Sequence, residues 1–184
     1  MKLTIDEVTR DYLALRGESP ELLATLTEGE EASAVLPLSR KIAARLPRAA
    51  VQATLTTPFL CHDEVKAAEP RLELDKRGVI TARMPDDYLR LYSLRMADWT
   101  EPVRQPEPRE SLRWWLGANA PGWMCCKEHP MVVEDRDAGG IVLRVYGSEA
   151  CDLPATLLYV PVPLFDGNTL VISRAAYYEM LETL

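Results

Sequence analysis

The sequence predicts an α+β fold, with helices at the N-terminus, a mainly antiparallel β-sheet of hairpins, and a closing C-terminal helix. Three observations carry this prediction. Apolar residues recur at helical spacing through the first sixty positions, alternate with polar ones from about residue 70, and return to helical spacing after residue 173. We therefore expect one domain over residues 1–184, with a helical part (1–60), a β-rich part (70–165) and a terminal helix (173–184).

The first helix begins at a capping box. Thr4 can cap the first turn while Glu7 reaches back to the Thr4 backbone, and Gly17 is placed to end the helix in a left-handed conformation. The apolar face predicted for this helix consists of Val8, Tyr12 and Leu15.

Two more helices are predicted before residue 60. Ser19 and Pro20 form a start signal for a short helix, since proline suits the first helical position. A longer helical pattern then runs through Val35, Leu38, Ile42, Leu46, Val51 and Leu55. Pro47 interrupts this pattern, because a proline inside a helix loses a backbone hydrogen bond and clashes with the preceding turn. We therefore expect either a kink at Pro47 or two helices that meet there.

The β-rich part contains two predicted hairpins. Residues 72–74 and 79–83 flank turn residues at 75–78, and residues 131–133 and 141–146 flank turn residues at 135–140.

Two further strands and the last helix complete the prediction. Residues 88–96 alternate with both sides partly apolar, which predicts a strand that is central or covered on both faces. Residues 155–162 predict a strand whose Pro161 suits a strand end or edge. Residues 166–168 form a turn, and Ser173 can cap the terminal helix.

Composition and charge restrict the function classes. The net charge of −7 argues against a general nucleic-acid or anionic-membrane surface, and no sequence-specific nucleic-acid partner is expected. No apolar run approaches the roughly 18 residues that suggest a membrane span. The start lacks the apolar segment of a secretory signal, and four cysteines are too few for a disulfide scaffold of this size. We expect a cytoplasmic protein.

Metal and thiol chemistry are weak candidates. Cys126 and His129 have the spacing of half a zinc site, and Cys61 with His62 would supply the other half. Adjacent side chains such as Cys61 and His62 diverge in most backbone conformations. The favoured interpretation is therefore that the cysteines pack as small apolar side chains and the histidines lie on loops. Cys126 with a histidine base is a second, weaker candidate, for a nucleophile. We therefore predict no metal, no cofactor and no catalytic residue.

Two other groups of residues are candidate sites. Asp86 and Asp87 could hold a cation or act as acid and base, but they follow Pro85, a position where aspartates usually hydrogen-bond nearby backbone amides in a turn. We favour the turn. The four tryptophans could form a contact surface, since tryptophan is enriched at binding hot spots, or a satellite core under the connection between residues 100 and 130. We favour the core for at least two of them and an oligomer contact for the others. The four are Trp99, Trp114, Trp115 and Trp123.

The order of these features resembles that of phage head-to-tail adaptor or ring proteins, connector-type virion structural proteins also found in prophage-like elements of bacterial genomes. The matching features are the helix junction at 46–47, the Pro-Asp-Asp-Tyr-Leu-Arg-Leu stretch at 85–91, Trp99 with Pro102 and Val103, the Pro-Met-Val stretch at 130–132, the Leu-Tyr-Val-Pro stretch at 158–161 and the Tyr-Tyr-Glu stretch at 177–179. The resemblance implies a non-catalytic subunit that forms rings and binds other virion proteins.

Two alternatives stay open beside this resemblance. One is an intracellular binding or regulatory module of bacterial origin. The other is an enzyme that uses cysteine and histidine, or a zinc-binding protein.

Overall fold

The computed structural model describes residues 1–18, 32–58, 61–75, 79–119, 125–148 and 155–184. The short helix predicted after Ser19 and Pro20 lies outside these residues. In chain order the elements are β1 (Lys2–Thr4), α1 (Ile5–Leu15), α2 (Ala32–Thr56), β2 (Lys66–Ala68), β3 (Arg71–Leu74), β4 (Ile80–Arg83), β5 (Tyr88–Met96), α3 (Leu112–Asn119), β6 (Met131–Asp137), β7 (Gly140–Tyr146), β8 (Ala155–Pro161), β9 (Leu164–Phe165), β10 (Thr169–Val171) and α4 (Arg174–Thr183).

The α+β prediction is confirmed, because helices occupy both ends of the described chain and antiparallel strands fill its middle. The chain divides into two compact units. Unit 1 combines Met1–Glu64 with Val162–Leu184, and unit 2 is the continuous segment Val65–Pro161. The expectation of one domain stays a prediction.

Helix α1 of unit 1 is closed at both ends by its own sequence, as predicted. The Thr4 hydroxyl accepts from the backbone N–H of Glu7, and the Glu7 carboxylate accepts from the backbone N–H of Thr4 at 2.7 Å. At the other end Gly17 has φ +74°, a left-handed value that glycine adopts without a Cβ penalty. The N–H of Gly17 bonds to Ala14 and that of Glu18 to Leu13, which is a Schellman motif.

Helix α2 continues through Pro47, so of the two predicted alternatives the junction of two helices is wrong, and the kink stays a prediction. Pro47 is exposed, and its ring therefore faces solvent rather than the packed side of the helix. Leu46, directly before it, and Ala50, three residues after it, are fully buried. Burial of this face outweighs the local cost of the proline.

The buried stripe of α2 departs from the predicted one in its second half. Ile42 and Leu46 are buried as expected, but the stripe continues through Ala50 and Ala53 rather than through the larger Val51 and Leu55. Leu55 is exposed. Small residues on the buried face let the helix backbone approach its neighbours closely.

The remaining elements of unit 1 form a three-stranded sheet and the C-terminal helix. The sheet has the order β1-β10-β9, and both of its pairings are antiparallel. The Asp166 carboxylate accepts from the backbone N–H groups of Asn168 and Thr169 and closes the predicted turn. Ser173 caps α4, as predicted, by accepting from the Ala176 N–H. The unit's core includes Val8, Ile42, Leu46, Leu170, Tyr177 and Met180.

Unit 2 is built from two antiparallel sheets that share one core. One sheet has the order β2-β8-β5 and the other β3-β4-β7-β6, and the two predicted hairpins are β3–β4 and β6–β7. Side chains from both sheets pack together, as in a β-sandwich. This core includes Ile80, Ala82, Leu91, Leu94, Leu143, Val145, Leu157 and Tyr159.

Strand β5 has the predicted limits. Of the two predicted alternatives, the central position is wrong, because β8 is the central strand of the three-stranded sheet. On its other side β5 makes one isolated bridge, between Leu94 and Val103. Two shifts in its pairing with β8, between Tyr88 and Arg90 and between Leu91 and Ser93, break the expected alternation. An extra residue at each irregularity turns the next side chain to the other face. Tyr88, Leu91, Leu94 and Met96 are consequently all buried.

Helix α3 lies in a stretch that the sequence analysis assigned to a connection. The Ser111 hydroxyl accepts from the backbone N–H of Trp114 at 3.0 Å, which satisfies a free donor in the first turn. The signal was therefore present in the sequence as a serine directly before the helix.

Candidate functional site

The outer face of the four-stranded sheet in unit 2 carries a charged groove of about 330 Å³. Strand pairing places its residues. Arg71 lies opposite Arg83, and Glu73 lies opposite Thr81, which in turn lies opposite Arg144. Because cross-strand neighbours share one face, these side chains project away from the shared core. Asp75, Asp135, Arg136 and Asp137 also line the groove.

One end of the groove is closed by a bidentate ion pair. Arg83 donates from Nη1 and Nη2 to the two carboxylate oxygens of Asp137, at 3.1 and 2.9 Å. Asp137 also accepts from the backbone N–H of Gly139 at 2.7 Å. The Arg83 guanidinium and this backbone N–H hold the pKa of the Asp137 carboxyl below its usual range, and Asp137 raises the pKa of Arg83. A side chain at position 139 would collide with the Arg83 guanidinium.

The middle of the groove is organised around Asp135, whose side chain is mostly buried. Arg144 reaches one of its carboxylate oxygens through Nε and Nη2, at 2.9 and 2.8 Å. Arg109 reaches the other oxygen at 2.9 Å. Arg144 Nη1 also lies 3.7 Å from Asp75. A largely buried carboxylate therefore has two cations against it, as a buried charge requires.

The other end of the same sheet face is apolar. Val79, Trp114 and Cys125 pack against a small cluster of buried side chains from β6 and β7. The members of that cluster are Met131, Val133 and Tyr146. Helix α3 presents two apolar side chains to solvent, Leu112 with 72% of its surface exposed and Trp115 with 56%.

A second polar group lies at the Pro85 turn. The Asp87 carboxylate accepts from Lys66 Nζ at 2.5 Å and from the Tyr159 hydroxyl at 2.8 Å, and thus joins the turn to β2 and β8. The Lys66 hydrogen bond lowers the pKa of Asp87 despite partial burial. Burial, together with the nearby Asp87, raises the pKa of Tyr159 to about 12.

Tyr88 forms a similar hydrogen bond to the four-stranded sheet of unit 2. Its hydroxyl donates to Glu134 at 3.0 Å, and its ring centroid lies 6.0 Å from that of Tyr159. Burial, then the Glu134 carboxylate, raises the pKa of Tyr88. Both tyrosines therefore stay neutral and act as hydrogen-bond donors.

The cysteine and histidine candidates fall in different units. Cys61 is exposed and His62 is buried in unit 1, whereas Cys126 and His129 are exposed in unit 2. The backbone N–H of His129 bonds to the Cys126 carbonyl and forms a turn. Within the described residues, no three or more His, Cys, Asp or Glu side chains are grouped to hold a metal ion.

The thiol environment near these candidates does not favour a nucleophile. Burial raises the pKa of Cys125, which lowers the fraction of thiolate. The Cys126 side chain hydrogen-bonds to Glu128 and lowers the pKa of that carboxyl. A carboxylate acceptor therefore contacts the Cys126 thiol.

The tryptophans divide between core and surface. Trp99 is 2% exposed and belongs to the shared core of unit 2, so its assignment to an interaction surface is corrected. Within the described part of the chain, its indole N–H has no hydrogen-bond partner. Trp114 is half-buried against β6 and β7, and Trp115 is exposed. Trp123 lies outside the described residues.

Sequence reasoning missed the charged groove. Its signal was an alternation of charge within strands, with Arg71 and Glu73 two residues apart in β3 and Asp135 and Asp137 two residues apart in β6. That spacing puts each pair on one face of its strand. Which strands become neighbours is a long-range property, and the alternation alone does not reveal it.

Comparison with known proteins adds no relative. No family model matches the chain, and no curated protein matches it. Among the described helices, none is both long and apolar enough to cross a membrane.

Proposed function

We propose that this chain is a non-catalytic structural subunit that associates with copies of itself, of the head-to-tail adaptor or ring type found in phage-like virions. Support comes first from the order of elements, which resembles that family from the helical start through the Pro85 turn to the closing helix. It comes also from the polar side chains of unit 2. Asp87 and Asp135 each join separate parts of the chain. These charged side chains hold the fold together, which suits a structural subunit.

The single observation that carries the proposal is the pair of exposed apolar side chains on α3. Leu112 and Trp115 are three residues apart and therefore neighbours on the helix surface. Burial of such a tryptophan against a partner is a common source of binding energy in protein interfaces. In a ring each subunit uses two different surfaces, so the α3 surface of one copy would meet another surface of the next.

Sedimentation velocity across a concentration series tests self-association. We expect the wild-type chain to shift to larger species as concentration rises, and a Leu112→Ser/Trp115→Ser variant to remain monomeric. Leu164→Ser is the matched control, because Leu164 is 64% exposed but belongs to unit 1. A wild-type chain that stays monomeric at its highest soluble concentration, also when mixed with a portal protein, would contradict the proposal.

The assignment to virions has its own test. Genes for a portal protein, a terminase and a capsid protein are expected beside the gene for this chain. Their absence would exclude the phage-like class while leaving self-association to be judged by sedimentation.

A further inference from the structure

An unusual charge arrangement marks the rim of the groove on the outer face of unit 2. Arg71 of β3 lies directly opposite Arg83 of β4. Like charges at directly opposed positions destabilise a sheet unless something neutralises them. Asp137 neutralises Arg83 through two hydrogen bonds. Arg71 has no equivalent partner at hydrogen-bond distance within the described residues.

The donors of Arg71 are accordingly available. Its Nε lies 3.8 Å from Glu73, which is an ion-pair distance but too long for a hydrogen bond, and its side chain is 88% exposed. Arg83 directs Nη1 and Nη2 toward Asp137, and its Nε–H is not part of that pair. A guanidinium has five N–H donors in a planar fork, so both arginines retain donors for a further acceptor.

The groove supplies the shape for that acceptor, and Arg71 supplies the free donors. Thr81 and Val142 line the groove between its charged rows. The lining holds four arginines and four carboxylates, and Arg83 and Arg144 are paired with Asp137 and Asp135. An added anion would therefore be held by Arg71 together with the unused Nε–H of Arg83.

We propose that this groove binds an oxyanion of the phosphate class between Arg71 and Arg83. A phosphate group brings close to two negative charges and several acceptor oxygens, so it can accept from both guanidiniums at once. A carboxylate brings one charge and two oxygens, and the groove already holds carboxylates of its own. The site is independent of the α3 surface and of self-association.

NMR of the 184-residue chain tests this site directly. Inorganic phosphate replaces chloride at constant ionic strength while the side-chain Nε–Hε signals of arginine are followed. We expect the Arg71 and Arg83 signals to shift and saturate. Arg71→Gln is expected to weaken binding about tenfold, the loss of roughly one hydrogen bond to a charged group. Arg95→Gln is the matched control, since Arg95 is exposed on the other sheet of the unit.

Three outcomes would overturn the proposal. The first is a shift that does not saturate, or that is equally large at Arg95, because either result indicates general screening. The second is an affinity for phosphate that is unchanged in Arg71→Gln. The third is acetate that binds as tightly as phosphate, which would remove the assignment to the phosphate class.

Discussion

Asp87 illustrates how one side chain fixes the geometry of a turn. The sequence favours a local role for it after Pro85, yet its carboxylate accepts from Lys66 and Tyr159, which are 21 and 72 residues away. Those two residues lie opposite each other in the β2–β8 pairing. Asp87 therefore joins the start of β5 to its neighbour β8 and to β2 on the far side of β8.

Replacement of Asp87 should change how stability depends on pH. Because the folded state lowers the pKa of Asp87, its contribution to stability is present above the ordinary value of 3.8 and is lost as pH falls through the lower, folded value. We expect wild type to lose more stability than Asp87→Asn between pH 6 and pH 3, approximate limits set on either side of that ordinary value. Urea unfolding at a series of pH values measures this difference.

The neighbouring aspartate provides the control for this measurement. Asp86 is exposed and has no ion pair among the described residues. Asp86→Asn should keep the wild-type pH dependence. An equal loss of stability on acidification in wild type and Asp87→Asn would show that the hydrogen bonds of Asp87 do not stabilise the fold.

At the scale of elements, α2 shows tertiary packing overriding a local signal. Proline at position 47 leaves the Ala43 carbonyl without its helical donor. The helix continues nevertheless, because the face formed by Ile42, Leu46 and Ala50 is buried in the core of unit 1. Proline is tolerated since its own position faces solvent.

Removal of this proline should stabilise the protein. We expect Pro47→Ala to raise the free energy of unfolding by about 1–3 kcal/mol, because it restores a helical hydrogen bond and removes a ring clash at an exposed position. Denaturant unfolding followed by circular dichroism measures the change. The adjacent exposed substitution Arg48→Ala should stay within about 0.5 kcal/mol of wild type. A loss of stability in Pro47→Ala would indicate that α2 needs the distortion that proline imposes.

At the scale of the whole molecule, unit 2 has the connectivity of an inserted domain. It is one continuous segment, whereas unit 1 is made from the two ends of the chain. The strands at the two ends of unit 2 are neighbours, since Lys66 of β2 pairs with Tyr159 of β8. Closely spaced ends permit a domain to be inserted or excised without disturbing its core.

This connectivity predicts different behaviour for two fragments. Residues 65–161 alone should fold, because both sheets of the shared core lie within that segment. Residues 1–64 alone should not, because Leu170, Tyr177 and Met180 fill the unit 1 core from outside the fragment. The dispersion of amide signals in NMR spectra of each fragment distinguishes the outcomes. A disordered 65–161 fragment would favour the single-domain prediction.

Features stabilised by residues close in sequence were predictable, and features stabilised by residues far apart in sequence were not. The capping box at Thr4 and the caps at Gly17 and Ser173 were predictable, because each depends on residues within about four positions. The Arg83–Asp137 pair was not, because its members are 54 residues apart. The burial of Trp99 was not predictable either, because the exposure of a side chain depends on which other parts of the chain pack around it.

The sequence by itself determined the α+β class, the order of the helices and strands it recognised, and the ends of the helices that carry local caps. These follow from apolar periodicity and from capping residues, which act over one or two turns of chain. Only the tertiary structure decided that α2 would continue through Pro47, that irregular pairing would bury Leu91 beside Tyr88, and that alternating charges would meet in one groove. The physical reason is that burial and strand pairing are cooperative over the whole unit. They can outweigh a local preference of a few kcal/mol, and no single stretch of sequence contains them.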